Sequence, residues 1–146
     1  MKVSTSRWIS GATGFVLAAT LFGVSRLWAA DDARPVQAKP VFSEELPNVP
    51  GKTLTGVLVK YSPGAKSPVH AHEGSVYAYV LSGQIRSENS ATGPAKVYQA
   101  GEGFFEPPGT IHTISENASD SEPASLLAIF VADDGVQLTR GAAEKK

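Results

Sequence analysis

The chain contains no cysteine among its 146 residues. Without thiols it forms no disulfide bond, offers no thiolate ligand to a metal ion and has no cysteine nucleophile. Any metal that its side chains bind must therefore be held by nitrogen and oxygen donors.

An excess of charge of either sign is missing as well. The 13 lysine and arginine residues nearly balance the 14 aspartate and glutamate residues, for a formal net charge of −1. Nucleic acids and anionic membrane surfaces attract basic proteins. The composition therefore predicts no nucleic-acid partner, and the length predicts a single domain.

Long apolar runs are scarce, and the longest uncharged one lies at the N-terminus, at residues 9–24. Lys2 and Arg7 precede this run, and a polar segment follows it. That order is typical of a secretory leader, so residues 1–29 are predicted to be a cleaved signal peptide. The alternative is an uncleaved membrane anchor, since the run and its flanks are long enough to span a bilayer. Either reading predicts a bacterial protein whose folded part is periplasmic or secreted.

Residues 52–132 show strand patterns and no helical period. Alternating or β-branched stretches such as TLTGVLVKY, VYAYVL and ASLLAIFVA are separated by glycine and proline turns. Short strands at this spacing predict an all-β sandwich or barrel. The proline-rich and charged residues 30–51 are expected to form a tether and an irregular edge segment, and residues 133–146 a loose C-terminal tail.

All three histidines of the chain fall within the predicted β domain. His70 and His72 are two residues apart in a strand pattern, which places both imidazoles on one face. His112 follows the turn PPGTI, which can bring a third imidazole from a neighbouring strand. Three nitrogen donors with open positions left over are typical of catalytic rather than structural metal sites. The predicted cofactor is a divalent metal ion, with Fe, Zn, Mn, Ni and Cu all open.

The residues around these histidines resemble the two motifs of the cupin family, and the resemblance covers residues 51–132. The first motif is matched by Gly64, His70, His72 and Gly83, and the second by Gly101, Pro107, Gly109 and His112. The asparagine expected near the end of the second motif falls at Glu116, with Asn117 one place later. The resemblance implies a cupin-type jelly roll, or double-stranded β-helix barrel. It also implies a small-molecule ligand or substrate and a possible homodimer.

One position departs from the family pattern: the metal-binding glutamate of the first motif falls at Val76. Valine cannot bind a metal, so two readings stay open. One is a three-histidine metal site, as in cupins that resemble thiol dioxygenases and diketone-cleaving dioxygenases. Three neutral imidazoles would leave the +2 charge of the metal ion uncompensated. That charge would favour a small anionic or dicarbonyl-like molecule, in an oxygenase, isomerase or lyase reaction. The other is a metal-free cupin that binds or senses a small molecule.

Two carboxylates are candidates to compensate for Val76. Glu73 directly follows His72, and strand alternation sends it to the opposite face unless the turn at Gly74 redirects it. Glu106 lies in FFEPPG, on a strand near the presumed mouth of the barrel. We expect it to be partly buried with a raised pKa, as a general acid or base or as a partner of a metal ligand. The alternatives are a salt-bridged residue or an edge-exposed one.

Overall fold

A computed structural model describes residues 35–142, and this part of the chain folds into β-strands without a helix. The strands are β1 (Val36–Glu45), β2 (Lys52–Tyr61), β3 (His70–His72), β4 (Ser75–Ser82), β5 (Gln84–Asn89), β6 (Gly93–Gln99), β7 (Gly103–Glu106), β8 (Ile111–Asn117), β9 (Ala124–Asp133) and β10 (Thr139–Gly141). The predicted leader, residues 1–29, lies outside the described residues. Within the described part, no helix is long and apolar enough to cross a membrane.

The strands form two antiparallel five-stranded sheets. The first sheet has the order β1-β2-β9-β4-β7 and the second the order β10-β3-β8-β5-β6. Two sheets of this kind, joined by glycine and proline turns, confirm the predicted all-β, cupin-type jelly roll.

Period-2 alternation explains which side chains fill the interior. In β9 the buried positions alternate along the strand, and in β4 the side chains of Val76, Ala78 and Val80 are buried while Tyr77 and Tyr79 are exposed. The small apolar side chains of β4 therefore face inward. The inner faces of both sheets enclose the hydrophobic core and a cavity of about 380 Å³.

Both ends of the described chain are more regular than the sequence predicts. Within residues 30–51, expected to be a tether and edge segment, β1 pairs along β2 and forms one edge of the first sheet. Pro40 is tolerated there because an edge strand does not need every backbone N–H for pairing. Within residues 133–146, expected to be a loose tail, β10 pairs with β3, and Leu138 packs against the core.

Candidate metal centre

The second sheet brings the three histidines together. His70 and His72 lie on β3, and His70 is paired with His112 of the neighbouring β8. The ring centroid of His70 lies 4.8 Å from that of His72 and 5.0 Å from that of His112. One donor nitrogen from each ring lies within 4.8 Å of the other two. The three residues selected from the sequence therefore form one cluster, and all three line the cavity.

A β-bulge in β8 sets which side chains enter the cavity beside His112. In the pairing of β5 with β8, Asn89 lies opposite His112 and Glu88 lies opposite Ile114. Thr113 therefore has no Cα partner on β5 and is the extra residue of the bulge. Bulges shift the inward and outward alternation of a strand. As a result His112 and Ser115 are both buried and both line the cavity, although three positions separate them.

The hydrogen bonds of His70 and His72 leave one nitrogen of each ring available. Nδ1 of His70 lies 2.7 Å from the carbonyl oxygen of Pro68. Nδ1 of His72 lies 3.2 Å from the carbonyl oxygen of Leu138 and 3.0 Å from the Thr139 hydroxyl. Since a carbonyl only accepts, Nδ1 carries the proton in both rings and Nε2 keeps its lone pair. Metal-binding histidines typically donate their other N–H in this way.

Burial keeps these two imidazoles neutral. Removal from water lowers the pKa of His70 below its ordinary value and lowers the pKa of His72 to about 4. A neutral ring is the form that binds a metal ion, because protonation occupies the donor nitrogen. Both residues are therefore ready to act as ligands near pH 7.

His112 contains a nitrogen that no hydrogen bond satisfies. Its Nε2 lies 2.9 Å from the Ser87 hydroxyl, whereas Nδ1 is buried without a hydrogen-bond partner. The nearest charged atom is Oε2 of Glu106, 3.1 Å from Nδ1, but that contact lacks hydrogen-bond geometry. Buried polar atoms without a partner are rare and call for an explanation. A nitrogen lone pair directed at a metal ion would explain the missing partner. The three imidazoles therefore form a donor set that fits a divalent cation.

Glu106 projects into the same cluster. It is only 3% exposed, and its Oε2 lies 4.0 Å from Nε2 of His72 and accepts a hydrogen bond of 3.2 Å from the Asn89 amide. The expected burial is therefore present, and the edge-exposed alternative does not apply. The expected raised pKa is wrong: burial raises the pKa of this carboxyl, but the neighbouring side chains of His112, His72 and Asn89 outweigh burial and lower the pKa.

The other sequence candidates lie elsewhere. Glu73 forms an ion pair with Arg140 and does not line the cavity, as strand alternation predicts. Glu116 pairs with Arg86 and with Lys66 and does not line the cavity either. The Asn117 amide donates hydrogen bonds to the carbonyl oxygens of Ser62 and Glu122, which is a structural role.

Sequence reasoning missed Ser87 and Asn89, which contact His112 and Glu106. The sequence pattern that could have identified them is the alternation in QIRSEN. It places Ile85, Ser87 and Asn89 on one face of β5, and that face is buried. Polar side chains on a buried strand face need buried partners, and that requirement points to a polar site.

The cavity has walls of different chemistry. The first sheet supplies an apolar wall that includes Val57, Val76, Ala128 and Phe130. Near it lies a hydroxyl cluster, defined as Tyr61, Ser67 and Ser115, in which the Tyr61 oxygen is 2.8 Å from the Ser115 oxygen and 3.2 Å from the Ser67 oxygen. Burial, partly offset by these two serine contacts, raises the pKa of the Tyr61 phenol, so the phenol keeps its proton.

Known proteins share this fold. A DMSP lyase from Ruegeria pomeroyi is 18% identical with a TM-score of 0.61, over 80% of this chain and 56% of that chain. A cupin-like protein from Thermotoga maritima is 19% identical with a TM-score of 0.56, over 73% of this chain and 74% of that chain. Oxalate decarboxylase from Bacillus subtilis is 30% identical with a TM-score of 0.52, over 61% of this chain and 24% of that chain. The decarboxylase contains Mn(II) centres.

The chain thus spans about half the length of the lyase and about a quarter of the decarboxylase. No curated protein sequence matches it significantly. The model of the cupin domain family matches residues 57–130, which is just over half of the chain and includes all three histidines. With two jelly-roll sheets around a histidine-lined cavity, the protein belongs to the cupin family.

Proposed function

We propose that this protein is a metal-dependent cupin enzyme that acts on a small carboxylate-bearing molecule in a lyase or decarboxylase reaction. One observation carries the proposal: three imidazoles and a buried carboxylate converge in a single internal cavity. Ionisable side chains are costly to bury together unless they serve a site.

His70, His72 and His112 would hold the divalent ion. Imidazole nitrogen suits Fe, Zn, Ni and Cu, and Mn is supported by the Mn(II) centres of the decarboxylase that is 30% identical to this chain. A divalent ion in this position supplies a positive centre that binds an anionic oxygen and withdraws electrons from the group attached to it.

The size and lining of the cavity support a small polar substrate. A volume of about 380 Å³ is at the small end of ligand sites and suits a molecule of a few carbon atoms. The apolar wall of the first sheet excludes water from the reacting bond. The hydroxyl cluster offers donors and acceptors to a second polar group of the substrate, so a short molecule with polar groups at both ends fits best. Among the reaction classes open from the sequence, the similarity to oxalate decarboxylase supports the lyase type.

Metal content and turnover test the proposal. The chain should be produced with Mn, Fe, Zn, Ni or Cu supplied, and its bound metal measured by elemental mass spectrometry. We expect about one ion per chain for the natural sequence and for the control Lys39→Ala, which changes an exposed side chain on β1. We expect loss of the ion in His72→Ala. The loaded protein should then release carbon dioxide or an alkene from at least one short-chain carboxylate.

Two results would contradict this function in different ways. Absence of stoichiometric metal under all five conditions would rule out the metal site. Stoichiometric metal without turnover of any short carboxylate would rule out the reaction and favour the alternative of a cupin that binds or senses a small molecule.

A further inference from the structure

The position that lost its glutamate lies directly opposite Glu106. In the antiparallel pair of β4 and β7, Val76 and Glu106 are Cα partners, and they are 1% and 3% exposed. Side chains at opposed positions of an antiparallel pair leave the same face of the sheet, with Cβ atoms about 5 Å apart. A carboxylate on either strand therefore enters the same part of the cavity.

The distances from Glu106 to the imidazoles of His112 and His72 match those between ligands of one ion. Its Oε2 lies 3.1 Å from Nδ1 of His112 and 4.0 Å from Nε2 of His72. Donor atoms bound to one ion through bonds of about 2.0 to 2.2 Å lie about 3 to 4 Å from one another. The Glu106 oxygen thus lies where a further donor to the same ion would lie. A group that acts on a bound substrate would be farther from the imidazole nitrogens.

The surroundings of Glu106 also resemble those of a metal ligand. The Asn89 amide donates to Oε2, and the same amide donates a bond of 2.8 Å to the Thr110 hydroxyl, which in turn donates to the carbonyl oxygen of Pro107. Ligating carboxylates are commonly held by hydrogen bonds of this kind. The chain of bonds fixes Glu106 immediately before the turn that leads to His112.

We propose that the carboxylate ligand has moved from β4 to β7, so that Glu106 completes a set of three histidines and one carboxylate. The proposal rests on the metal site of the proposed function and deepens it. It replaces the neutral three-histidine set expected from Val76, and it assigns Glu106 to metal binding instead of general acid or base catalysis. With one carboxylate, the net charge of the ion and its protein ligands falls from +2 to +1.

A positional swap tests this directly. Full-length protein should be prepared as the natural sequence, as Glu106→Gln, and as the double variant Val76→Glu with Glu106→Val, which returns the carboxylate to β4. Glu102→Gln is the matched control, since Glu102 is exposed and directly precedes β7, the strand that carries Glu106. Mn(II) and Zn(II) affinity is measured by competition with a chromophoric chelator, and thermal unfolding without metal checks that each variant folds.

We expect Glu106→Gln to bind both ions at least about 100-fold more weakly, since even partners of ligands contribute 10- to 100-fold. The double variant should bind within about tenfold of the natural sequence, and Glu102→Gln should be unchanged. If Glu106→Gln fails to fold, the double variant alone decides, because it keeps the cavity charge and volume.

Affinity within twofold of the natural sequence in folded Glu106→Gln would overturn the proposal. So would a folded double variant that does not recover binding. Both results would leave the three-histidine site intact if His72→Ala still loses the ion. Failure of the proposed function looks different, because the natural sequence itself would then bind neither Mn(II) nor Zn(II).

Discussion

Gly83, at the turn between β4 and β5, has a conformation and a neighbourhood that exclude a side chain. Its φ is +69°, in the left-handed region, and a Cβ there would lie 2.6 Å from the carbonyl oxygen of Pro123. Neither the backbone of Pro123 nor that of Ala124 can move without disturbing the start of β9. This glycine, which is also the last residue matched to the first cupin motif, therefore fixes the end of the strand that carries Val76.

We predict that Gly83→Ala lowers the free energy of unfolding by more than Gly93→Ala does. Both glycines have positive φ, but a Cβ at Gly93 meets nothing within 4 Å. Gly93→Ala should cost about 1 to 2 kcal/mol for the backbone conformation alone, and the clash at Gly83 should add to that. Urea denaturation measures both values, and equal losses would contradict the steric argument.

The ion pairs of Glu116 should make the free energy of unfolding depend on pH. Burial raises the pKa of this carboxyl, but hydrogen bonds and charge from Lys66 and Arg86 outweigh burial and lower the pKa. A lowered pKa in the folded state contributes stability above the unfolded value of about 4.3, and that contribution is lost as pH falls through the folded pKa.

Glu116→Gln should therefore lower the free energy of unfolding by about 1 kcal/mol at pH 7, a modest value because Lys66 and Arg86 remain partly exposed. The difference should shrink as pH falls below about 4. Glu122→Gln, at an exposed position, is the control. A difference that persists unchanged at low pH would show that the ion pairs are not its source.

Among the elements, β3 and β10 show how a short strand can support a site. β3 has three residues and carries two of the histidines, with β8 on one side and β10 on the other. Nδ1 of His72 contacts the carbonyl oxygen of Leu138, just before β10, and the hydroxyl of Thr139, the first residue of β10. β10 and the residue before it thus orient the ring of His72 by contacts to Nδ1, on the side opposite Nε2.

Thr139→Val should weaken metal binding without unfolding the protein. The change removes the hydroxyl near Nδ1 of His72 and keeps the shape of the side chain, and loss of such a partner typically costs 10- to 100-fold in affinity. Because the Leu138 carbonyl remains, we expect about tenfold. Thr53→Val, on β2 in the other sheet, is the matched control, since it removes a hydroxyl that donates to Asp134 and does not contact a histidine. Equal affinity of the two variants for Zn(II) would show that β10 does not position the ligand.

The elements also show what a single sequence can and cannot predict. The histidines were predictable because His70 and His72 follow the period of a strand and His112 completes a recognisable motif. β1 and β10 were not, because edge pairing with β2 and β3 overrides a composition that favours loops. The role that we propose for Glu106 depends on the register between β4 and β7, which places it opposite Val76 and which no local pattern encodes.

Across the whole molecule, the two sheets contribute different chemistry to one cavity. The second sheet carries the histidines and Ser115, while the first sheet supplies the apolar wall together with Glu106. The fold class follows from alternation and turn residues, so it was predictable. The contrast between the walls was not, because it depends on which faces meet when the sheets pack.

For the intact molecule we also predict export. In a bacterial host, the mature protein should begin at residue 30 or 31, because a basic start, an apolar run and small residues precede that point. N-terminal sequencing of protein from the periplasmic fraction measures this. Recovery of the uncleaved chain from membranes would instead favour the anchor.

The most direct test of the metal site is a crystal structure of the Mn(II)-loaded protein, with the metal located from its anomalous scattering. We predict one strong peak per chain in the cavity, at bonding distance from a nitrogen of each of His70, His72 and His112 and from an oxygen of Glu106. A cavity without a peak, or a peak bound to the histidines with the Glu106 carboxylate turned away, would contradict it.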